Sequence, residues 1–135
     1  MNITHFKQIV DLFEDSKPEV FVGNIETATQ DNSFYRKVLY TGPHIQLVVM
    51  SIPPGEEIGE EVHEKGDQFI RVEAGGGEFV LDGKTVPARD GESTVIPQGV
   101  KHNVINNGVT PLQLYVIYSP PEHPAGTEHE TKSQE

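Results

Sequence analysis

The sequence predicts an all-β fold, a sandwich or a barrel, and three observations support this. Short runs rich in β-branched and aromatic residues recur from Val20 onward, and Gly, Pro or Asn residues separate them. Short strands at regular spacing with turn signals are typical of β-sandwiches and barrels. The pair Asp82-Gly83 between two of these runs is a strong hairpin signal. The length of 135 residues, without a repeat or an internal linker, predicts one domain.

The first predicted element is an amphipathic helix near residues 5–14. Apolar side chains recur there at the spacing that places them on one helix face, at Phe6, Ile9, Val10 and Phe13. The pair Lys17-Pro18 ends the helix, because a residue before proline is biased away from helical geometry. We expect this helix to pack across the outside of a sheet or at a subunit boundary.

Eight strands follow, each bounded by turn residues. They are predicted at Val20–Val22, Tyr35–Tyr40, Ile45–Ile52, Gln68–Glu73, Gly77–Leu81, Ser93–Ile96, His102–Ile105 and Leu112–Tyr118. The run Gly75-Gly76-Gly77 is predicted to form a hairpin turn. The chain therefore divides into an N-terminal helix and lead-in (1–19), a β domain (20–118) and a tail (119–135). The tail is rich in Pro and charge, which fits either an ordered strap or a disordered segment.

Composition excludes several function classes. Acidic residues outnumber basic ones 21 to 10, which gives a formal net charge of −11. This balance argues against nucleic acid and against an anionic membrane surface as partners. The chain has no cysteine, so it offers neither a disulfide nor a thiolate ligand or nucleophile. We see no signal peptide and no apolar run that could span a membrane, so we expect a cytoplasmic protein.

Two spaced sets of residues carry a family resemblance. The stretch GESTVIPQGVKHNVIN has the spacing G-x5-P-x-G-x2-H-x3-N, set by Gly91, Pro97, Gly99, His102 and Asn106. Upstream, the stretch from Gly55 to Gly75 has the spacing G-x5-E-x-H-x4-Q-x6-G. These sets resemble the second and first motifs of the cupin family. The resemblance implies a double-stranded β-helix, or jelly-roll barrel, with a divalent metal inside and frequent homodimers.

The resemblance also implies a set of metal ligands: Glu61, His63, Gln68 and His102. Glu61 stands where the family has its first His, and Gln68 where it has Glu, so two ligand types are changed. Residues two apart on a strand share a face, which would point Glu61 and His63 the same way. Mixed N/O donors suit Fe, Mn, Ni, Co or Zn. Two alternatives stay open: Glu61 lies in an acidic run typical of a solvated face, and Gln68 could hydrogen-bond the backbone at the barrel mouth.

The remaining candidate residues carry weaker signals. His44 has no partner at ligand spacing and is interpreted as structural. Arg71 alternates with interior residues and should face outward. His123 and His129 lie in the tail, and either could serve as an acid or a lid if the tail folds back over the barrel mouth. No catalytic residue is assigned, although Glu61 becomes the best general base if it is not a ligand.

The resemblance narrows the function without fixing a substrate. The E-x-H spacing and the tail sequence Pro-Pro-Glu-His-Pro-x-Gly-Thr resemble cupins described as mannose-6-phosphate isomerase-like. One carboxylate against a divalent ion leaves a site near +1, which predicts a small anionic ligand or substrate. We therefore predict metal-dependent isomerisation of a sugar or sugar phosphate. Fe(II)-dependent dioxygenase chemistry and non-catalytic binding or sensing of a small ligand are the alternatives. A homodimer is expected from the family and from the predicted N-terminal helix.

Overall fold

The structure is a computed structural model that describes residues 8–10 and 18–135. Its strands are β1 (Gln8–Val10), β2 (Val20–Val22), β3 (Arg36–Thr41), β4 (Gln46–Ile52), β5 (Asp67–Ala74), β6 (Gly76–Leu81), β7 (Lys84–Arg89), β8 (Ser93–Ile96), β9 (His102–Ile105), β10 (Leu112–Ser119) and β11 (Glu128–His129). One α-helix, α1 (Ile25–Asp31), and a 3-10 helix at Lys132–Gln134 complete the elements. Within the described ranges, no helix is both long and apolar enough to cross a bilayer.

Two sheets pack face to face around the main core. A six-stranded sheet has the order β11-β3-β4-β10-β5-β8, and a three-stranded sheet has the order β7-β6-β9. Strands that bury one face alternate in burial, as β10 does from Leu112 to Tyr118. The inward residues of both sheets, such as Val48, Val72, Phe79 and Val104, form one apolar cluster. The all-β jelly-roll prediction is confirmed, but the described strands leave the two sheets as a sandwich rather than a closed barrel.

The predicted N-terminal helix is wrong where the structure describes it. Residues Gln8–Val10 form β1, which pairs antiparallel with β2, and the rest of residues 5–14 lies outside the described residues. The observed helix α1 begins after Asn24, whose side chain accepts a hydrogen bond from the Thr27 backbone N–H at 2.9 Å. Such a cap satisfies a donor that the helix itself leaves free. Ala28 of α1 packs with Leu39 and Val49 on the outer face of the large sheet.

Glycine residues predicted two hairpin turns, and the structure confirms one of them. The Asp82-Gly83 hairpin is confirmed, because both residues have positive φ (51° and 81°) and β6 pairs with β7 around them. The prediction of a hairpin turn at Gly75-Gly76-Gly77 is wrong. Gly75, with φ of 83°, instead carries the chain from the six-stranded sheet to the three-stranded one. A Cβ atom at this position would lie 2.3 Å from the Pro111 carbonyl oxygen.

Two further strands went unpredicted, β7 and β11. β7 exposes every residue except Ala88 and contains Pro87, so it carries no alternating pattern. β11 belongs to the tail and pairs with β3, with His129 directly opposite Arg36. The tail is therefore an ordered strap that returns to the edge of the large sheet.

Candidate metal centre

Three elements bring the predicted ligands together. Glu61 and His63 lie in the irregular segment between β4 and β5, where Glu61 forms a bridge to His102 rather than part of a regular strand. Reciprocal backbone hydrogen bonds of 2.8 Å and 2.9 Å join Glu61 and His102. The Gly99 backbone N–H donates to the His63 carbonyl oxygen at 2.9 Å. The turn before β9, with its positive φ at Gly99, thus fixes both histidines to one place.

The donor atoms of Glu61, His63 and His102 all lie within 4.8 Å of one another. Glu61 Oε1 is 3.5 Å from His63 Nε2 and 3.9 Å from His102 Nε2. The two imidazole rings are 5.1 Å apart. One carboxylate and two imidazoles at this separation could hold a metal ion.

Each histidine has its other nitrogen engaged. His102 Nδ1 is 2.8 Å from the Val100 carbonyl oxygen, which only accepts, so Nδ1 carries the proton and Nε2 presents a lone pair. His63 Nδ1 lies 3.4 Å from a carboxylate oxygen of Glu122 in the tail, and its buried Nε2 has no hydrogen-bond partner. Outer partners of this kind orient metal-binding histidines and fix their tautomers. Both Nε2 atoms therefore lie on the side of the Glu61 carboxylate.

Gln68 also reaches this group. Its side-chain amide contacts His102 Nε2, and the side chain is buried on β5. As placed, the amide donates to the lone pair of His102, and a turned amide would offer its oxygen instead. Among the described residues, the hydrogen bond of this side chain is to His102, whereas the alternative prediction was a hydrogen bond to the backbone. Ligation of a metal by Gln68 stays a prediction.

Electrostatics favour an ionised Glu61. Burial raises the pKa of this carboxyl, but the contact with His63 and the charges of His63, His102 and Arg36 outweigh burial and leave the pKa below its usual value. The contact with Glu61 raises the pKa of His63; burial opposes this, and the Glu122 charge adds to it. The centre is thus a carboxylate beside an imidazole that binds protons readily when no metal competes.

The tail forms one wall of the site. Pro120, Pro121 and Glu122 line a pocket of about 290 Å³ together with His63 and Tyr118. Gln46 holds this wall, because its Oε1 accepts from the backbone N–H groups of Glu122 and His123 at 3.1 Å and 2.9 Å. Its Nε2 donates to the His123 carbonyl oxygen at 2.7 Å.

The interior also holds polar residues, and of these Arg36 was not found by sequence reasoning. Arg36, Tyr35 and Tyr118 are buried between the sheets, and burial raises the pKa of Tyr35 to about 12 and that of Tyr118 further. The His123 ring lies 5.3 Å from Tyr118, and burial lowers the pKa of His123 to about 4. The sequence contains one signal for the interior position of Arg36. It lies two residues before the interior residue Val38, and residues two apart on a strand share a face. Arg71, in contrast, is exposed as predicted.

The Cupin domain family model matches residues 48–118. The chain belongs to the cupin family. The match runs from within β4 to Tyr118 in β10, so it covers both motif regions and includes Glu61, His63, Gln68 and His102.

Known proteins similar to this cupin support the assignment. It is 47% identical to the YrkC protein of Bacillus subtilis over 129 residues, which is 90% of this chain and 69% of the relative. The crystal structure of BH2720 from Bacillus halodurans is similar, with a TM-score of 0.84 and 46% identity over 88% of this chain and 95% of that one. An oxalate-binding protein of Thermotoga maritima is 31% identical over 68 residues, 50% of this chain and 56% of that protein.

Proposed function

We propose that this cupin binds a divalent transition metal through Glu61, His63 and His102 and uses it for chemistry on a small oxygenated anion. The observation that carries the proposal is the convergence of three donor atoms within 4.8 Å. The engaged Nδ1 atoms of both histidines support it, because each histidine then presents its Nε2 to the site, where His102 Nε2 contacts only the side-chain amide of Gln68. Such N/O donors suit Fe, Mn, Ni, Co or Zn, and a bound ion would polarise a carbonyl or stabilise an enediolate.

Charge supports an anionic ligand. A divalent ion and one ionised carboxylate leave a net charge near +1 when both histidines are neutral. The buried guanidinium of Arg36 adds positive charge close enough to lower the pKa of Glu61. Glu122 opposes this charge at the pocket rim, where it is 42% exposed. An anionic oxygen is therefore favoured inside, and the rim selects against large polyanions.

The first reaction class that we propose is isomerisation of a sugar or sugar phosphate, following the resemblance to mannose-6-phosphate isomerase-like cupins. Isomerisation needs a base to move a proton between neighbouring carbons. Glu61 cannot be both a metal ligand and that base. In the described part of the tail, His123 suits the role of this base. Its buried Nε2 has no hydrogen-bond partner, and its lowered pKa keeps the ring neutral.

Two alternatives have their own support. A two-histidine-one-carboxylate set is the donor set of many Fe(II) oxygenases, so oxygen chemistry at Glu61, His63 and His102 is the second candidate. Non-catalytic binding of a small acid is the third, supported by the similarity to a protein named for oxalate binding. Oxygen uptake after anaerobic iron loading would favour the second. Incorporation of solvent deuterium into a hydroxy-carbonyl substrate would favour isomerisation. A ligand that stays bound during purification, with neither oxygen uptake nor deuterium incorporation, would favour binding.

The experiment that tests the metal site is a comparison of metal content and affinity across matched variants. Glu61→Gln should weaken metal binding, whereas Glu64→Gln, an exposed acid three residues away, should leave it unchanged. Equal metal affinity in the two variants would show that Glu61 is a solvated surface residue and not a ligand. The comparison separates a specific ligand from the general effect of the acidic segment.

We also infer that the protein forms a homodimer through the outer face of the large sheet. Four apolar residues lie directly opposite one another on neighbouring strands of that face: Leu47, Ile117, Phe69 and Val95. Val95 is 67% exposed and the other three residues are half-buried, so a partner subunit could cover the row. Sedimentation should give a dimer for the wild type and a monomer for Val95→Glu. A wild-type monomer would refute the inference.

A further inference from the structure

The interior contains a cation that is not one of the proposed metal ligands. Arg36 on β3 is only 2% exposed, and its side chain points between the sheets. Its Nη1 donates to the side-chain carboxylate of Glu135, which is itself 40% exposed. A buried guanidinium is costly unless each of its donors is paired. Here the buried Nε of Arg36 has no hydrogen-bond partner.

Two neighbours of Arg36, one along the chain and one across the sheet, each carry a buried polar atom that lacks a well-formed hydrogen bond, although the Tyr35 hydroxyl interacts with the Arg36 guanidinium. The Tyr35 hydroxyl belongs to the neighbouring residue, whose ring centroid is 5.1 Å from the Arg36 Cζ atom. His129 lies directly opposite Arg36 in the pairing of β11 with β3, and its Nδ1 is likewise buried and unpartnered. Buried polar groups in native proteins are nearly always paired, so several such atoms around one guanidinium point to a ligand.

We propose that Arg36, Tyr35 and His129 form a subsite for the carboxylate group of a small ligand, and that the Glu135 side chain occupies this subsite in competition with the ligand. The guanidinium fork matches a planar carboxylate, and the group it already contacts is a carboxylate. A single guanidinium balances one negative charge, which favours a carboxylate over a phosphate dianion. Exposure of Glu135 allows its side chain to leave while Arg36 remains buried.

The subsite and the metal centre face the same interior. The charge of Arg36 acts on Glu61, and the charge of Glu61 acts on Tyr35 and His123. A ligand with a carboxylate on Arg36 and a second oxygen function toward Glu61, His63 and His102 would therefore use both. The substrate class of the proposed function would then be a small carboxylate with a neighbouring oxygen function. This inference rests on the proposed function only for the end of the ligand that binds the metal.

The test is calorimetric titration of acetate and oxalate into full-length protein, metal-free and zinc-loaded. In the metal-free protein, Glu135→Gln should bind acetate about tenfold more tightly than the wild type, because an intramolecular competitor is weakened. Glu128→Gln, an exposed change of the same charge in the same tail, should match the wild type. Arg36→Gln should lose acetate binding, and Arg36→Lys should retain part of it. Thermal unfolding of each variant identifies any that fail to fold, and Glu135→Gln tests the proposal without altering the buried cation.

The outcomes separate this proposal from the metal proposal. Zinc-loaded protein should bind oxalate more tightly than acetate if both ends of the ligand are recognised. Acetate binding that depends on Arg36 in a protein that takes up no zinc would support the subsite and refute the metal site. The subsite would be overturned if the wild type, Glu135→Gln and a folded Arg36 variant bound acetate with equal affinity, or if none of them bound it. Zinc content tests the metal site independently of this result.

Discussion

Replacing Gln46 with leucine should release the tail from the metal centre. The Gln46 side chain is fully buried and makes four hydrogen bonds, three to the backbone of Glu122 and His123 and one to the Thr41 hydroxyl at 2.9 Å. Leucine has a similar size but no polar atom, so these backbone groups would be left unpaired if the tail stayed docked.

The magnitude follows from these bonds. A net hydrogen bond contributes about 1 kcal/mol, and each buried group left unpaired costs about 1–3 kcal/mol. We therefore expect the free energy of unfolding to fall by about 3 kcal/mol, limited by the tail's ability to undock and regain water. Undocking would also remove Glu122 from His63 Nδ1, now 3.4 Å away. Loss of such an outer partner lowers metal affinity by about 10–100-fold.

The assay combines urea unfolding with zinc titration, and the chain offers a matched control. Gln113 lies on the neighbouring strand β10 and donates to the carbonyl oxygens of Gln30 and Asn32 at 2.8 Å and 3.2 Å, so it anchors the α1 region instead of the tail. Gln113→Leu should reduce stability and leave zinc affinity unchanged. The reasoning would be refuted if Gln46→Leu and Gln113→Leu had the same zinc affinity.

Three other predictions concern single residues. Glu61→Gln should reduce metal affinity by more than the roughly 10–100-fold expected for an outer partner, measured by competition with a chelator; a smaller loss would place Glu61 outside the ligand set. His123 has a pKa lowered from 6.5 to about 4, mainly by burial. The unfolded chain therefore binds this proton first. Because the ring is only partly buried, the wild type should lose about 1–2 kcal/mol of stability relative to His123→Gln between pH 6.5 and 4; parallel pH profiles would argue against a buried neutral imidazole. Gly75→Ala should lower the free energy of unfolding by about 2–4 kcal/mol, because a Cβ atom would meet a carbonyl oxygen. Gly91→Ala, at a position with positive φ but open space around it, should lower it by about 1 kcal/mol. Equal melting temperatures of the two variants would contradict the close approach at Gly75.

The core strands could be predicted because their burial follows the strand period. β4, β5 and β10 alternate or continue in apolar residues, and the structure places them within one or two residues of the predicted bounds. The exposed edge strand β7 has no such period, and β11 depends on a partner far away in the sequence. Helix α1 is short and is defined by the Asn24 cap and by packing rather than by an apolar stripe.

The same distinction applies to the site. Motif spacing located Glu61, His63 and His102, since those residues sit at fixed distances from turns that the backbone requires. The interior role of Arg36 and the wall formed by Glu122 depend on how the tail returns to β3 and Gln46. A charged residue within a predicted strand and a proline-rich tail are common in solvated segments, so neither signalled an interior role.

The measurement that tests the central claim most directly is elemental analysis of untagged protein beside His63→Ala and His102→Ala. The account predicts about one transition metal ion per chain in the wild type and its loss in both variants, since each removes one of the three converging donors. Iron would direct the substrate search toward oxygen chemistry, and manganese or zinc toward isomerisation. Stoichiometric metal retained by either variant, or no metal uptake by the wild type under any loading condition, would contradict the proposed centre.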